Sequence, residues 1–258
     1  NPAPENVARK ISMFSGVRED AVVMLPNAST VFEVPLSIAA SGINEVLTRF
    51  TGNDKKPNLS KWKKIVAAQT KKHDKRVSVG LVAKYMDNED TYLSVLEALK
   101  AAGWAEDLGV DIVWINAETA TDHDFKKVNA LLVPGGFGGR GIPGKIAAAT
   151  YALKYKKPYL GLCLGLQVAV IAAARRAGLT NANSTEFDPS TEHNVVYIME
   201  GQQGKESTGG TLRLGGYEAK LQPGSTVART YKKTKVTERH RHRYEVNNKF
   251  RTQLSDAG

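Results

Sequence analysis

PYLGLCLGLQVAVI, residues 158–171, contains the only cysteine of the 258-residue chain. Cys163 stands between Gly161 and Gly165, each two positions away. A lone cysteine is often a small buried apolar residue. A cysteine placed between two glycines, after one apolar run and before another, is also typical of a nucleophile at a sharp strand-to-helix turn. The surrounding sequence decides between these two interpretations.

Strands and helices alternate from Arg76 onward. The apolar runs RVSVGLVAKY, VDIVWI, ALLVPGG and KPYLGL are predicted to be strands, the shorter ones covered on both faces. Residues 88–103 have apolar side chains at helical spacing, with Asp90 as candidate N-cap and Gly103 as candidate C-cap. The alternation predicts an α/β fold with a doubly wound, mostly parallel sheet, which binds ligands beyond the carboxyl ends of its strands.

Two glycine-rich segments, PGGFGGRG and GLCLG, follow predicted strand ends and favour the nucleophile. The glycines beside Cys163 remove side chains that would collide at a sharp turn, and the next segment, LQVAVIAAARRAG, predicts a helix ending at Gly178. The start of that helix would favour the thiolate. The backbone N–H of Leu164, with a second donor near Gly136, would bind an oxyanion.

Composition limits the classes of partner. The formal charge is +10, but the basic runs KWKK, TKKHDKR and YKKTK lie far apart, lack interleaved aromatic residues and belong to no nucleic-acid motif. No apolar run reaches the roughly 20 residues that span a bilayer, and no signal segment is present. We therefore expect a soluble cytoplasmic protein that binds neither nucleic acid nor membrane.

Three regions are predicted along the chain. Residues 1–52 contain VFEVPLSIAASGINEVLTRF, which is apolar enough to be the end of a folded domain. Residues 53–75 are rich in polar and basic residues and predict a linker with a helix around 61–71. Residues 76–258 form the predicted α/β domain.

Several segments resemble the CTP synthase family. LLVPGGFGGRG, PYLGLCLGLQVA, NANSTEF, GGTLRLG and ERHRHRYEVNN resemble its glutamine amidotransferase domain, and RKISMF and VFEVPL resemble the end of its synthetase domain. GLCLGLQ alone indicates only class I amidotransferases, whereas NANSTEF together with RHRHRYEVNN is specific to CTP synthases. The resemblance implies a class I glutamine amidotransferase-like fold over 76–258, preceded by a remnant of an N-terminal α/β synthetase domain.

The resemblance also implies a reaction. Glutamine is hydrolysed at Cys163 through a thioester, and the released ammonia converts UTP, activated by ATP and Mg²⁺, to CTP. GTP is the expected allosteric activator, and a homotetramer able to form filaments is the expected assembly. The loops that bind ATP and Mg²⁺ are expected before Asn1.

Residue roles are carried over by position in the matching motifs. The nucleophile is Cys163, and the glutamine-binding residues are Gly136, Leu164, Gly165, Leu166, Gln167, Glu186 and Arg243. Glu186 suits the ammonium group of glutamine and Arg243 its carboxylate. In the synthetase remnant, Lys10 matches a pyrimidine-nucleotide contact, and Pro26, Asn27 and Ala28 match an adenine-contacting stretch whose usual residues differ here. No metal ligands are predicted.

The chain departs from the family's pattern in its proton relay. The family completes its catalytic triad with a His-Pro-Glu motif after RHRHRYEVNN, and none of the five histidines of this chain (His73, His123, His193, His240 and His242) lies in such a motif. The domain is therefore expected to be truncated at its C-terminal end. MEGQQGKESTGG also looks short for the segment that covers the glutamine site.

Two alternatives stay open. One is another cysteine-elbow α/β enzyme of the PfpI/DJ-1 type, from which glutamine-dependent ammonia release would distinguish this chain. The other is a catalytically incomplete assembly module. His240 and His242 lie in an alternating segment that predicts a strand with one solvated face, which favours a structural or ligand-orienting role for both.

Overall fold

The computed structural model describes residues 6–86, 88–199, 201 and 213–256. The described chain divides into two compact units. Unit 1 contains the residues up to Arg76 together with Leu99–Gly109, and unit 2 contains Val77–Ala98 and the residues from Val110 onward. No helix in these ranges is both long and apolar enough to cross a membrane.

Unit 1 is built from short helices. They are α1 (Asn6–Ser15), α2 (Val34–Ala40), α3 (Ile43–Thr51) and α4 (Ser60–Thr70), none of which contains a fully buried residue. Gly52, with φ +71°, ends α3 in the left-handed conformation that glycine adopts most readily. The ring of Phe32 packs against Trp62 at 6.3 Å and Trp104 at 5.7 Å between centroids, so aromatic contacts connect the helical segments.

Unit 2 is organised around a four-stranded sheet in the order β2-β1-β3-β4. The strands are β1 (Arg76–Ala83), β2 (Gly109–Asn116), β3 (Ala130–Val133) and β4 (Tyr159–Gly161). β1 pairs with β3, and β3 with β4, in parallel. The predicted α/β class with a parallel sheet is confirmed. In the β3–β4 register Val133 lies opposite Gly161, so the loops that follow these two strands leave the sheet at the same edge.

α5 (Leu93–Ala105) begins in this unit, and its residues from Leu99 onward belong to unit 1. The other helices near the sheet are α6 (Asp122–Lys126), α7 (Ile142–Tyr155) and α8 (Leu164–Arg176). α7 packs against α8, and α8 packs against β3 and β4. The buried core includes Val82, Ile115, Leu131, Val133, Ile146, Leu164, Val168 and Ile171. Burial of these aliphatic side chains holds α8, and therefore the residue just before it, in a fixed position.

Smaller sheets complete unit 2. β5 (Asn183–Ser184), β6 (Asn194–Ile198) and β9 (Tyr244–Val246) form a three-stranded sheet, and β7 (Arg213–Lys220) pairs antiparallel with β8 (Lys235–His242). The remaining helices are α9 (Thr226–Tyr231) and α10 (Arg251–Asp256), and α10 packs against α8. The predicted strand containing the histidine pair is β8.

Two local predictions were wrong. The predicted helix at 88–103 begins later, because Glu89–Tyr92 form a 3₁₀ turn capped by the Asn88 side chain rather than by Asp90. It also ends later, because Gly103 is inside α5. β2 and β4 were expected to be covered on both faces, but they are the two edge strands of this sheet. Only Gly109 and Ile115 are buried in β2, and no residue of β4 is buried.

Candidate active site

Cys163 occupies a strained turn between β4 and α8. Its φ of +53° and ψ of −106° lie outside the regions that L-residues favour, so the surrounding structure must hold the residue there. A Cβ at position 161 would collide with the backbone of Gly165, and a Cβ at position 165 would collide with the carbonyl of Val133. The predicted sharp strand-to-helix turn is confirmed, and both glycines are required by close backbone approach, while the role of Cys163 as nucleophile stays a prediction.

The loop at 134–141 passes directly beside this turn. A Cβ built on Gly135 would lie 3.4 Å from the Cβ and 3.9 Å from the Sγ of Cys163, and one built on Gly136 would lie 3.6 Å from Leu164. A side chain at Gly135 would therefore occupy the space next to the thiol, and one at Gly136 would occupy the space between Leu164 and the Lys84 and Lys145 side chains. The arrangement is compatible with the predicted pair of oxyanion donors, the N–H groups of Leu164 and Gly136, which stays a prediction.

Several groups act on the Cys163 thiol. Burial raises the pKa of the thiol, the Leu164 N–H lowers it, the Glu186 carboxylate raises it and the Lys145 ammonium lowers it. The Leu164 amide acts in the predicted direction, but desolvation is the larger effect, so the net shift opposes the predicted activation. The Sγ lies 3.9 Å from the carbonyl oxygen of Arg241. Cys163 is exposed, so a ligand can reach the thiol, and the net pKa shift favours its protonated form.

Glu186 connects two segments of the site. It follows β5, and its Oε1 accepts a hydrogen bond of 3.1 Å from the N–H of Gly138 in the glycine-rich loop. Burial raises the pKa of Glu186, while the Gly138 N–H, Lys84 and Arg243 lower it. Arg243 lies between β8 and β9, and its carbonyl accepts a 3.0 Å hydrogen bond from the N–H of Met199. The two residues expected to hold the ends of glutamine thus interact electrostatically.

The other predicted glutamine-binding residues lie in the first turn of α8. The Gly165 carbonyl accepts a 2.8 Å hydrogen bond from the Tyr159 hydroxyl. Gln167 is buried, and its side-chain amide donates a 3.0 Å hydrogen bond to the carbonyl of Tyr244. Leu166 is 53% exposed. Gln167 therefore holds the segment after Arg243 against α8, while Leu166 is free to contact a ligand.

None of the five histidines is hydrogen-bonded to the thiol, and none is among the groups that shift its pKa. His240 and His242 contact each other, with Nδ1 of the first 2.9 Å from Nε2 of the second. His242 Nδ1 also lies 3.1 Å from the Tyr244 carbonyl. These contacts fit the expected structural or ligand-orienting role, and a base for Cys163 is absent from the described residues.

Two buried lysines at the site, Lys84 and Lys145, were not predicted from the sequence. Lys84 directly follows β1, and Lys145 lies in the first turns of α7. The available signal was a lysine adjoining an apolar strand in LVAKY and a lysine among small and apolar residues in PGKIAAA. A lysine in such a setting is usually solvated, and only the fold reveals its burial.

The predicted nucleotide-binding residues belong to unit 1. Lys10 is exposed on α1, and residues 26–28 lie in an irregular segment between a short 3₁₀ turn and α2. Their roles stay predictions. The segment expected to cover the glutamine site, residues 199–210, lies outside the described residues except for Met199 and Gly201.

Comparison with known proteins agrees with this geometry. The family model for class-I glutamine amidotransferases matches residues 88–256. The CTP synthase of Thermomicrobium roseum is 45% identical over 263 residues, which cover 100% of this chain and 47% of that protein. A CTP synthase of Thermus thermophilus is 46% identical over 264 residues, which cover 100% of this chain and 48% of that protein. The chain spans about half the length of the curated relatives it matches.

A solved structure is also similar to this chain. The glutaminase domain of Trypanosoma brucei CTPS with bound acivicin superposes with a TM-score of 0.65 at 38% identity, covering 70% of this chain and 72% of that one. These similarities do not favour a hydrolase of the PfpI/DJ-1 type. The chain belongs to the class-I glutamine amidotransferase family, and over its whole length it is similar to CTP synthases.

Proposed function

We propose that this chain is the amidotransferase part of a CTP synthase, in which Cys163 hydrolyses glutamine and the released ammonia aminates UTP to CTP. The observation that carries the proposal is the strained backbone of Cys163, held by two glycines beside a glycine-rich loop. Such a turn presents a nucleophile at the end of a strand with backbone N–H groups near it. The full-length similarity to CTP synthases supports the choice of reaction.

The first chemical step is attack of the Cys163 sulfur on the side-chain amide carbon of glutamine. A carbon–sulfur bond forms, and the carbonyl electron pair moves to the oxygen, where the N–H groups of Leu164 and Gly136 would bind it. When the carbonyl re-forms, the carbon–nitrogen bond breaks, and the nitrogen takes up a proton and leaves as ammonia. Water then cleaves the thioester, which releases glutamate and restores the thiol.

Proton transfer is the step of this reaction that requires a further group. Burial raises the pKa of Cys163, so a base must take the thiol proton and return it to the leaving nitrogen. We assign this role to no residue of the described chain. The family resemblance supports a histidine–glutamate pair in a His-Pro-Glu motif, which the 258 residues do not contain.

Glu186 and Arg243 would provide recognition of the amino-acid end of the substrate. The Glu186 carboxylate is kept near the thiol by its hydrogen bond to Gly138 and is favoured in its charged form by Lys84 and Arg243. A carboxylate attracts the substrate's ammonium group, and a guanidinium can pair with its carboxylate. Glutamine would then lie with its amide towards Cys163.

The amination of UTP would use ATP and Mg²⁺ in the part of a CTP synthase that this chain does not span. Lys10, Pro26, Asn27 and Ala28 are proposed nucleotide contacts on the family resemblance alone. In the described residues no three His, Cys, Asp or Glu side chains come together to hold a metal ion, and no step proposed here runs through one. Activation by GTP and a homotetramer able to form filaments are proposed on the same resemblance. A cytoplasmic location and the lack of nucleic-acid binding are proposed on the composition and the scattered basic runs.

The test is substitution of the nucleophile in the enzyme that contains this chain. Cys163→Ala should abolish CTP formation from glutamine and leave CTP formation from added ammonia intact, because only the first route needs the thioester. Light scattering of the same variant should show an unchanged assembly. Glutamine-dependent CTP formation by Cys163→Ala would contradict the proposal, and a parent protein that assembles normally but forms no CTP from glutamine would support the module interpretation instead.

A further inference from the structure

Two lysine side chains are buried beneath the glycine-rich loop at 134–141. Lys145 has no exposed surface and Lys84 is 5% exposed. The Nζ of Lys84 donates a hydrogen bond to the carbonyl of Phe137, and the Nζ of Lys145 lies 3.5 Å from the carbonyl of Pro134. Lysine is almost never fully buried unless it is paired, so the burial of Lys145 requires an explanation.

Lys145 lies close to the loop and the turn that contain the groups proposed to react. Its Nζ lies 3.8 Å from the point where a Cβ on Gly136 would stand, and the Cβ of Cys163 is 3.4 Å from the corresponding point on Gly135. The amine therefore lies against the loop that borders the thiol.

The charges that face this lysine are few. They are Lys84, at the end of β1, and Cys163, at the turn between β4 and α8. Burial, and then the charge of Lys84, lower the pKa of Lys145 to about 8, and the thiolate form of Cys163 opposes that change. Glu118 and Glu186 act on Lys84 instead, against the charge of Arg140. The thiolate is thus the one anionic group acting on Lys145 among the charges resolved in the described residues.

We propose that Lys145 is a positioning residue whose buried ammonium stabilises the Cys163 thiolate. Glu186 faces the thiol from the segment after β5 and disfavours the thiolate, so Lys145 opposes Glu186. The proposal deepens the proposed function, because it assigns control of nucleophile ionisation to a residue that touches neither substrate nor leaving group. It also explains why an ammonium is kept in a fully buried position, where a methionine would cost less free energy.

The pH range in which Lys145 can stabilise the thiolate follows from the titration of its amine. Below about pH 8 the Lys145 amine carries its charge and favours the thiolate. As the pH rises through that value the ammonium loses its proton, and the stabilisation of the thiolate is lost. The effect of removing the charge should therefore be largest at pH 6–7.5 and vanish above pH 9.

The experiment measures the rate of alkylation of Cys163 by iodoacetamide between pH 6 and 10. Cys163 is the single cysteine of these 258 residues, and mass spectrometry of its tryptic peptide makes the measured rate that of this thiol whatever other cysteines the whole enzyme contains. Lys145→Met removes both charge and hydrogen bond, whereas Lys145→Gln removes the charge and keeps an N–H donor for the Pro134 carbonyl. Lys154→Met, an exposed lysine on the same helix, is the matched control.

Both Lys145 variants should react about tenfold more slowly than the parent at pH 6–7.5, as expected for one unit of thiol pKa, and should converge with it above pH 9. Lys154→Met should follow the parent throughout. Profiles of Lys145→Met and Lys145→Gln that match the parent would overturn the proposal. Slowing in Lys145→Met alone would also overturn it, because the hydrogen bond and not the charge would then be responsible.

Alkylation needs no glutamine, so the two proposals can fail separately. If the pH profile shifts but Cys163→Ala still makes CTP from glutamine, the proposed function fails and the assignment of Lys145 stands. If Lys145→Met does not fold, Lys145→Gln carries the test alone against the parent and Lys154→Met.

Discussion

The two sides of the candidate site are built in different ways. The reacting side consists of Cys163, the N–H groups beside it and the loop at 134–141, and its geometry is fixed by backbone and glycines. The amino-acid side consists of Glu186 and Arg243, which come from distant segments and interact through charge. The first side depends on shape and has no room for an added atom at Gly161 or Gly165, whereas the second depends on electrostatics and should tolerate changes of similar shape.

The largest effect should come from adding a methyl group to the reacting side. In Gly165→Ala the new Cβ meets the Val133 carbonyl in the central sheet, so strand and helix must separate. We expect the free energy of unfolding to fall by about 1–3 kcal/mol in urea denaturation. The reaction of Cys163 with acivicin should slow markedly as well, because the elbow loses its geometry.

Gly139→Ala is the matched control for this change. Gly139 lies in the neighbouring loop, and a Cβ there would have no atom within 4 Å. Its free energy of unfolding should change by less than about 0.5 kcal/mol. If Gly165→Ala proved as stable and as reactive as Gly139→Ala, the claim that shape controls the reacting side would be wrong.

A smaller effect should follow from removing charge on the amino-acid side. Glu186→Gln keeps an oxygen that can accept from the Gly138 N–H but loses the negative charge. The KM for glutamine should rise about tenfold, equivalent to about 1.5 kcal/mol, the lower end of the range for a hydrogen bond to a charged group. Steady-state glutaminase kinetics at fixed pH would measure it, with exposed Glu192→Gln as the control.

Glu186→Gln should also make the Cys163 thiol more reactive, although it weakens glutamine binding. The Glu186 carboxylate raises the pKa of Cys163, so its removal should lower that pKa and leave more thiolate at neutral pH. Iodoacetamide should therefore alkylate Glu186→Gln faster than the parent at pH 7, while glutamine binds it more weakly. An unchanged KM together with an unchanged alkylation rate would remove Glu186 from the site.

The reacting side could be predicted from sequence because its rules are local. Gly161 and Gly165 flank the cysteine in the chain, and their spacing alone indicates a sharp turn. The parallel sheet follows in the same way from alternating strands and a helical pattern. The direction of the thiol pKa was not predictable, because it depends on how much of the protein surrounds Cys163 after folding.

The amino-acid side could not be derived from local pattern. Glu186 and Arg243 were identified only through the family resemblance, since nothing in their own segments places them together. Lys84 and Lys145 were missed because burial of a charge contradicts hydropathy patterning. β2 was misjudged for a related reason, since its place at the sheet edge depends on the order of strands and not on its own residues.

Cys163 is proposed to be the nucleophile that attacks glutamine, and covalent labelling tests this role most directly. The protein is incubated with acivicin, with and without excess glutamine, and its intact mass and tryptic peptides are measured. We predict one adduct, on Cys163, that forms more slowly when glutamine is present, because both molecules would occupy the space between the elbow and Glu186. Absence of an adduct on Cys163, or labelling at a rate that glutamine does not change, would contradict the account.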